Sequence, residues 1–219
     1  LQSSRLASFD TAEALLEKIT DRDFHDYDAL LARGDNYLEW ARHAPVEARR
    51  EGLLEQARRS YALLLERYGY RNEILYHMMR YFVRSNQLDD AQDLRAYLEG
   101  RRDFRPDPDV YAELGGYLLD KEDVEGARTV LHAAAAESTV IPEIDYHLAR
   151  LYRATEQPAE EAKALRNAIV TLGEAERTPE RLFMAADAHR RYGDLYFRQE
   201  QYLDAAREYR TAISAIEKE

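Results

Sequence analysis

From residue 72 onward the sequence repeats itself. Similar blocks begin at 72, 108, 142 and 186, so that successive starts are 36, 34 and 44 residues apart. The block from 186 carries Tyr192-Gly193, Tyr196, Ala205, Tyr209 and Ala212. The same offsets from 108 give Leu114-Gly115, Leu118, Ala127, Leu131 and Ala134, and those from 142 give Leu148-Ala149, Tyr152, Leu165 and Ala168. The block from 72 is more degenerate, and a fifth can be argued near 27. A period in this range, with two helical patterns per unit, constrains the chain to an α-solenoid. Such units cannot bury their apolar face alone and must stack on their neighbours. The stacked surface of a solenoid is usually a binding groove, so a partner-binding scaffold is expected rather than a catalyst.

Composition narrows this further. The chain has 219 residues, 45% of them hydrophobic, with only 9 Gly and 6 Pro. That is ordinary for a folded protein and gives no sign of a sheet. The net charge of −11 lacks the electrostatic footprint of a nucleic-acid binder. Arg outnumbers Lys 27 to 4, a bias read mainly as genomic base composition, such as that of a GC-rich bacterium. With no Cys, disulfides, thiol catalysis and Cys-based zinc sites are excluded, and the redox compartment is left open. No apolar run approaches the ~18 residues that a membrane span needs, and no secretory signal is present. The chain starts at Leu1, so a targeting segment or anchor could precede it, and the compartment, bacterial cytoplasm or periplasm, is not fixed.

Along the chain, residues 1–9 read as a loose lead-in. Asp10-Thr11-Ala12-Glu13 has the form of a capping box opening a short helix. A longer pattern runs from Tyr27 to His43, stopped by Pro45, followed by a helix over 46–68. Helix pairs are then expected at 72–85 and 88–99, 108–121 and 124–137, and 142–155 and 158–172. Leu88, Val124 and Pro158 open the second helices, and Pro106, Pro108 and Pro142 mark entries to first helices. About ten extra residues lie between 173 and 185. Thr178-Pro179-Glu180 reads as a helix start, giving a long first helix over 179–200. The last helix, 202–217, sets Tyr202, Ala205, Ala206, Tyr209, Ile213 and Ile216 on one stripe, which suits a helix that caps the stack. This divides the chain into an N-terminal lead-in and extra helix (1–26), an expanded, degenerate repeat (27–71), in which Gly34, Tyr37, Ala57, Tyr61 and Leu64 sit like repeat positions, and regular repeats (72–219).

The spacing resembles the tetratricopeptide repeat (TPR). That motif has a small residue at position 8, an aromatic or large apolar residue at 11, Ala at 20, an aromatic or Leu at 24 and Ala at 27. The block from 186 matches all five. The block from 142 departs at position 20, where Glu161 stands with Ala162 one residue late, and the block from 72 has Met79 at position 8. The resemblance implies an all-α, right-handed solenoid of antiparallel helix pairs and protein–protein interaction as the shared activity. It also implies that positions 2, 5, 9, 12 and 13 face a concave groove. On that reading Tyr76, Arg80, Arg84, Tyr146, Arg150, Arg153, Arg190, Phe197 and Arg198 form a partner-binding surface. Arg forks suit carboxylates and aromatic faces, so the expected partner is a protein segment with acidic and aromatic side chains. The competing reading gives these arginines to intramolecular ion pairs. The family's clamp for chaperone C-terminal carboxylates is not matched: Tyr76, Arg80, Glu113, Glu143 and His147 stand where it needs Lys, Asn, Asn, Lys and Arg.

Nothing else in the sequence points to chemistry. The six histidines (His25, His43, His77, His132, His147 and His189) form no HExxH or i, i+4 ligand pair, and no metal or cofactor is expected. Carboxylates spread along mixed-charge helix faces. No GxSxG, P-loop or GxGxxG occurs, and Gly115-Gly116 reads as a helix contact. The chain is therefore expected not to be an enzyme. A self-assembling structural component is the nearer alternative, with the irregular N-terminal pair packing on another copy. A ligand-binding or enzymatic module closed by the insert at 173–185 is the more distant one.

Overall fold

The computed structural model describes residues 2–22, 26–102, 104–137 and 140–216. Among them are eleven helices and no strand: α1 (Gln2–Arg22), α2 (Tyr27–Arg42), α3 (Glu47–Tyr68), α4 (Asn72–Arg84), α5 (Leu88–Glu99), α6 (Pro108–Asp120), α7 (Val124–Ala136), α8 (Pro142–Ala154), α9 (Pro158–Glu174), α10 (Pro179–Arg198) and α11 (Tyr202–Ile216). They form consecutive packed pairs, the TPR-like helical-repeat fold, and divide into two compact units, Leu1–Arg105 and Pro106–Glu219. No helix among the described residues is long and apolar enough to cross a membrane.

The local chemistry explains the boundaries. Asp26, Asp107, Asp123 and Thr178 each accept a hydrogen bond from the backbone N–H three residues on, satisfying donors that a helix start leaves open. Pro108, Pro142, Pro158 and Pro179 occupy first turns, where a missing N–H removes no helical bond. Within each of the four regular repeats the turn is closed in one way. Asn86, Glu122, Glu156 and Glu200, all at repeat position 15, take φ values of 61°, 64°, 54° and 62°. The following N–H reaches back to the carbonyl at position 11: Gln87 to Phe82 (2.8 Å), Asp123 to Leu118 (2.9 Å), Gln157 to Tyr152 (2.8 Å) and Gln201 to Tyr196 (2.9 Å). This is the Schellman closure of a helix end.

The N-terminus departs from the sequence reading. Residues 2–9 are helical, and Asp10 to Glu13 lie inside α1 instead of opening it. Glu13 does not reach back to a backbone N–H. Its Oε1 accepts from Arg33 Nε at 2.9 Å and from the Tyr37 hydroxyl at 2.5 Å, so tertiary partners on α2 outbid the local cap. Phe9 stacks on Trp40 with ring centroids 6.1 Å apart, which seats α1 on α2.

Inside the pairs, small residues at position 8 do admit close crossings, but against a different neighbour than expected. The repeat spacing predicts that Gly115 faces Ala127 and that Gly193 faces Ala205. A Cβ at Gly115 would instead lie 2.5 Å from Leu131, and one at Gly193 would lie 2.7 Å from the Tyr209 ring. A helical side chain leans toward the N-terminus of its own helix. The large residue at position 24 therefore covers the glycine, and the alanine at position 20 lies beside it, fully buried at Ala127 and nearly so at Ala205. The pair α2–α3 crosses in the same way, with Gly34 under Tyr61, whose ring would stand 2.5 Å from an added Cβ. In two of these pairs the tyrosine hydroxyl also donates to the Asp that follows the glycine: Tyr61 to Asp35 Oδ1 at 2.7 Å and Tyr209 to Asp194 Oδ1 at 2.9 Å.

Two alanine substitutions separate packing from backbone propensity. Gly34→Ala is expected to destabilise the protein by roughly 1–3 kcal/mol through overpacking against Tyr61. Gly52, in the interior of α3, has nothing within 4 Å of an added Cβ, and Gly52→Ala is expected to stabilise by roughly 0.5–1 kcal/mol. Urea unfolding of both variants checks the signs. Equal effects would mean that Tyr61 does not sit on Gly34.

Candidate partner-binding surface

The first helix of each pair carries the residues that the repeat pattern assigns to a binding face. In the unit Leu1–Arg105 these are Tyr76, Arg80 and Arg84 on α4. The Tyr76 hydroxyl donates to the carbonyl of Arg105. Arg84 Nη1 stands 2.8 Å from Glu39 Oε2 on α2. One turn earlier, Asp35 Oδ1 meets both the Tyr61 hydroxyl and His77 Nδ1 at 2.7 Å. Burial opposes ionisation of Asp35. His77, with help from the Tyr61 hydroxyl and the charge of Arg80, outweighs it and holds the carboxyl below the usual range. Ion pairs and hydrogen bonds thus link α2 to α4.

In the unit Pro106–Glu219 the same linkage recurs. Arg150 on α8 pairs with Asp120 on α6. Arg181 Nε on α10 stands 2.8 Å from Glu143 on α8. Tyr146, only 5% exposed, donates to Asp187 Oδ2 at 3.0 Å. Arg190 contacts Asp187 at 2.6 Å and Asp194 at 3.1 Å, and Arg191 contacts Asp187 at 2.6 Å. Burial pushes Asp187 toward protonation, but the hydrogen bond from Arg190 and the charge of Arg191 hold its carboxyl below the usual range. His147 is buried against Gly116, where an added Cβ would lie 2.5 Å from the ring. Gly116 is therefore the helix contact expected of it, and its occupant is an imidazole.

Of the nine residues singled out from the sequence, Arg84, Arg150 and Arg190 are thus ion-paired within the protein, and Tyr146 is buried. Arg153 and Arg198 differ. Both are exposed, and neither enters an ion pair among the described residues; Arg198 Nε has only the Asp194 carbonyl at 3.4 Å. Phe197, the neighbour of Arg198, is 56% exposed, with its ring centroid 5.4 Å from that of Tyr202 in an edge-to-face arrangement. The two arginines lie near Glu161, the residue that breaks the small-residue rule at position 20. Glu161 is 2% exposed, and its Oε1 has no hydrogen-bond partner. Burial raises its pKa, while Arg153, Arg198 and Arg191 act against that.

Asp120, Asp187 and Asp194, which organise this surface, were not singled out as its ion-pair centres from sequence. They sit at positions 13, 2 and 9. Asp187 and Asp194 take Arg190 and Arg191 from their own helix, the local pairing of the competing reading, whereas Asp120 with Arg150 and Asp187 with Tyr146 are brought together only by the stacking of one repeat on the next. His25 lies outside the described residues. Among those described, no group of three or more His, Asp or Glu side chains could hold a metal ion.

The buried imidazole gives a pH dependence with a definite sign. Burial, then the charges of Arg150 and Arg191, lower the His147 pKa to about 3. The unfolded chain takes up this proton near pH 6.5, whereas the folded state resists it until near pH 3. Stability is therefore unaffected by His147 above about pH 6.5 and falls as the pH drops below it, by roughly 2 kcal/mol between pH 7 and pH 5. His147→Gln is expected to lose correspondingly less over that interval in urea unfolding. Equal losses in both proteins would show that His147 is not held neutral.

No family model matches the sequence, and no curated relative matches it. Solved structures do. One is MamA 41-end from Desulfovibrio magneticus RS-1, 18% identical, covering 85% of this chain and 97% of that one with a TM-score of 0.59. A second, a crystal structure of MamA protein, is also 18% identical, covering 85% and 93% with a TM-score of 0.57. A third, BtubC (BKLC) from P. vanneervenii, is 13% identical, covering 100% and 92% with a TM-score of 0.63. At these identities the likeness is one of fold, and the TPR-like arrangement of helix pairs is what this chain shares with them.

Proposed function

We propose that this protein is a non-catalytic interaction scaffold that binds an acidic, aromatic-bearing segment of another protein on the first-helix face of the unit Pro106–Glu219. The observation that carries the reading is the pair Arg153 and Arg198: exposed, outside any ion pair among the described residues, and both acting on Glu161, with the exposed Phe197 next to Arg198 in the chain. Guanidinium forks of this kind take carboxylates and stack on aromatic rings. Tyr76, Arg80 and Arg84 would offer a second patch on the other unit, with Arg84 already held by Glu39. On this reading residues 27–71 act as an expanded repeat, since Gly34 and Tyr61 cross as Gly193 and Tyr209 do.

The arginines to remove are Arg153 and Arg198. Arg150 is a poorer choice because its loss strands Asp120. Arg153→Ala with Arg198→Ala is expected to abolish binding of acidic, aromatic peptides in a fluorescence-polarisation panel while shifting stability by no more than about 0.5 kcal/mol. Wild-type binding should weaken as salt rises through the range where screening acts over about 8–10 Å. Unchanged peptide binding in the double variant would refute the assignment.

A second reading, self-association, is favoured by one observation. The stripe on α11 that suggested a cap is covered only in part: Ala205 is buried and Tyr209 lies on Gly193, but Tyr202 is 57% exposed, Ile213 56% and Ile216 59%. Sedimentation of the wild-type chain is then expected to give a mass above 25.5 kDa, and Ile213→Glu with Ile216→Glu to restore the monomer. A wild-type monomer at high concentration would end this reading.

A further inference from the structure

Two clefts in the unit Pro106–Glu219 occupy equivalent places in successive repeats. The first has a volume of about 360 Å³ and is lined by Ile141, Asp145, Asn167, Val170 and Thr171, among others. The second, about 290 Å³, is lined at the same repeat positions by Ala185, His189, Thr211, Ser214 and Ala215. The repeat itself therefore makes a depression where a first helix, its second helix and the preceding second helix meet. The lining chemistry differs. In the first cleft Asp145 is the one charged group. The second contains Arg177, Arg181 and His189 and no carboxylate.

The insert between α9 and α10 makes the difference. α8 begins at its repeat start, Pro142, whereas α10 begins at Pro179, seven residues before the start at 186. The added turns and the segment before them bring in Arg177, Arg181 and Leu182, while α9 contributes Leu172 from its C-terminal turn. Glu143 meets Arg181 Nε at 2.8 Å, and Glu208 meets His189 Nδ1 at 2.7 Å, while Glu176 acts on Arg181 from outside the lining. Arg177 makes no hydrogen bond or ion pair among the described residues. Leu172 and Leu182 supply an apolar wall.

We infer that the cleft between α9, α10 and α11 is a binding site for a small organic carboxylate with a short aliphatic body. The head group meets the guanidinium of Arg177, with Arg181 behind it, as charge-assisted hydrogen bonds favour. The body lies against Leu172 and Leu182. At roughly 30 Å³ per water-sized group, the cleft accepts a ligand of about ten non-hydrogen atoms. This site is separate from the surface that carries Arg153 and Arg198, so either can fail without the other.

Hexanoate is a suitable probe, with hexylamine as its charge-reversed counterpart. In isotope-labelled protein spanning residues 1–219, hexanoate is expected to shift the amide resonances of Gly173, Arg177 and Ala185 saturably, with a dissociation constant on the order of millimolar. Hexylamine at the same concentration should leave them in place. Arg177→Gln, in an exposed loop, should weaken hexanoate about tenfold with an unchanged circular dichroism spectrum and melting temperature. Absence of a saturable shift, equal shifts with hexylamine, or full affinity in Arg177→Gln would each overturn the proposal.

Discussion

The close crossing at repeat position 8 is the constraint on which the rest depends. Where a glycine stands there, the side chain at position 24 lies directly on the backbone of the first helix, as Tyr61, Leu131 and Tyr209 do on Gly34, Gly115 and Gly193. A Cβ would push these helices apart, because a packed interior absorbs little extra volume. Met79 and Ala149 occupy the position in the other two pairs, and both are fully buried. The spacing of first and second helices, and with it the placement of every first-helix side chain, follows from how this one site is filled.

Electrostatics then acts within that spacing. An acidic chain would not be expected to present arginines freely, and most of those on the first helices are engaged. Asp35 with His77, Glu39 with Arg84, Asp120 with Arg150 and Glu143 with Arg181 each join one first helix to the next. Partly exposed pairs of this kind are individually weak. Their larger effect is on specificity, because an ion pair between successive first helices is satisfied in only one register. Arg153 and Arg198, which enter no ion pair among the described residues, fall at the C-terminal turns of α8 and α10, where a positive charge also meets the negative end of the helix dipole.

Helix boundaries were legible because the signals are local. Leu88, Val124 and Pro158 open their helices as the spacing indicates, and Pro45, Pro142 and Pro179 mark ends and entries. The failure at Asp10 has the same root. Its capping box is a local pattern, and a longer-range partner, Arg33 with Tyr37, captured Glu13. The candidate surface was legible only as positions. That Arg150 meets Asp120, 30 residues away, or that Tyr146 closes under Arg191 and Asp187, depends on how one pair stacks on the next, which no single repeat encodes. Glu161 was visible as an exception at position 20, although its burial without a partner for Oε1 was not.

The helix-to-helix turns carry a further consequence. All four use a left-handed residue at position 15, and in three it is a glutamate, a residue that pays roughly 1–2 kcal/mol for that conformation. The hydrogen bond back to position 11 spans only five residues, so each hairpin closes on itself with little loop entropy to overcome. In a stack of such pairs, folding can start at more than one pair and propagate to the neighbours that complete its burial. The strained turn sets how firmly a pair holds by itself, and that firmness can change through one exposed side chain without disturbing either the ion pairs between first helices or the cleft beside α10.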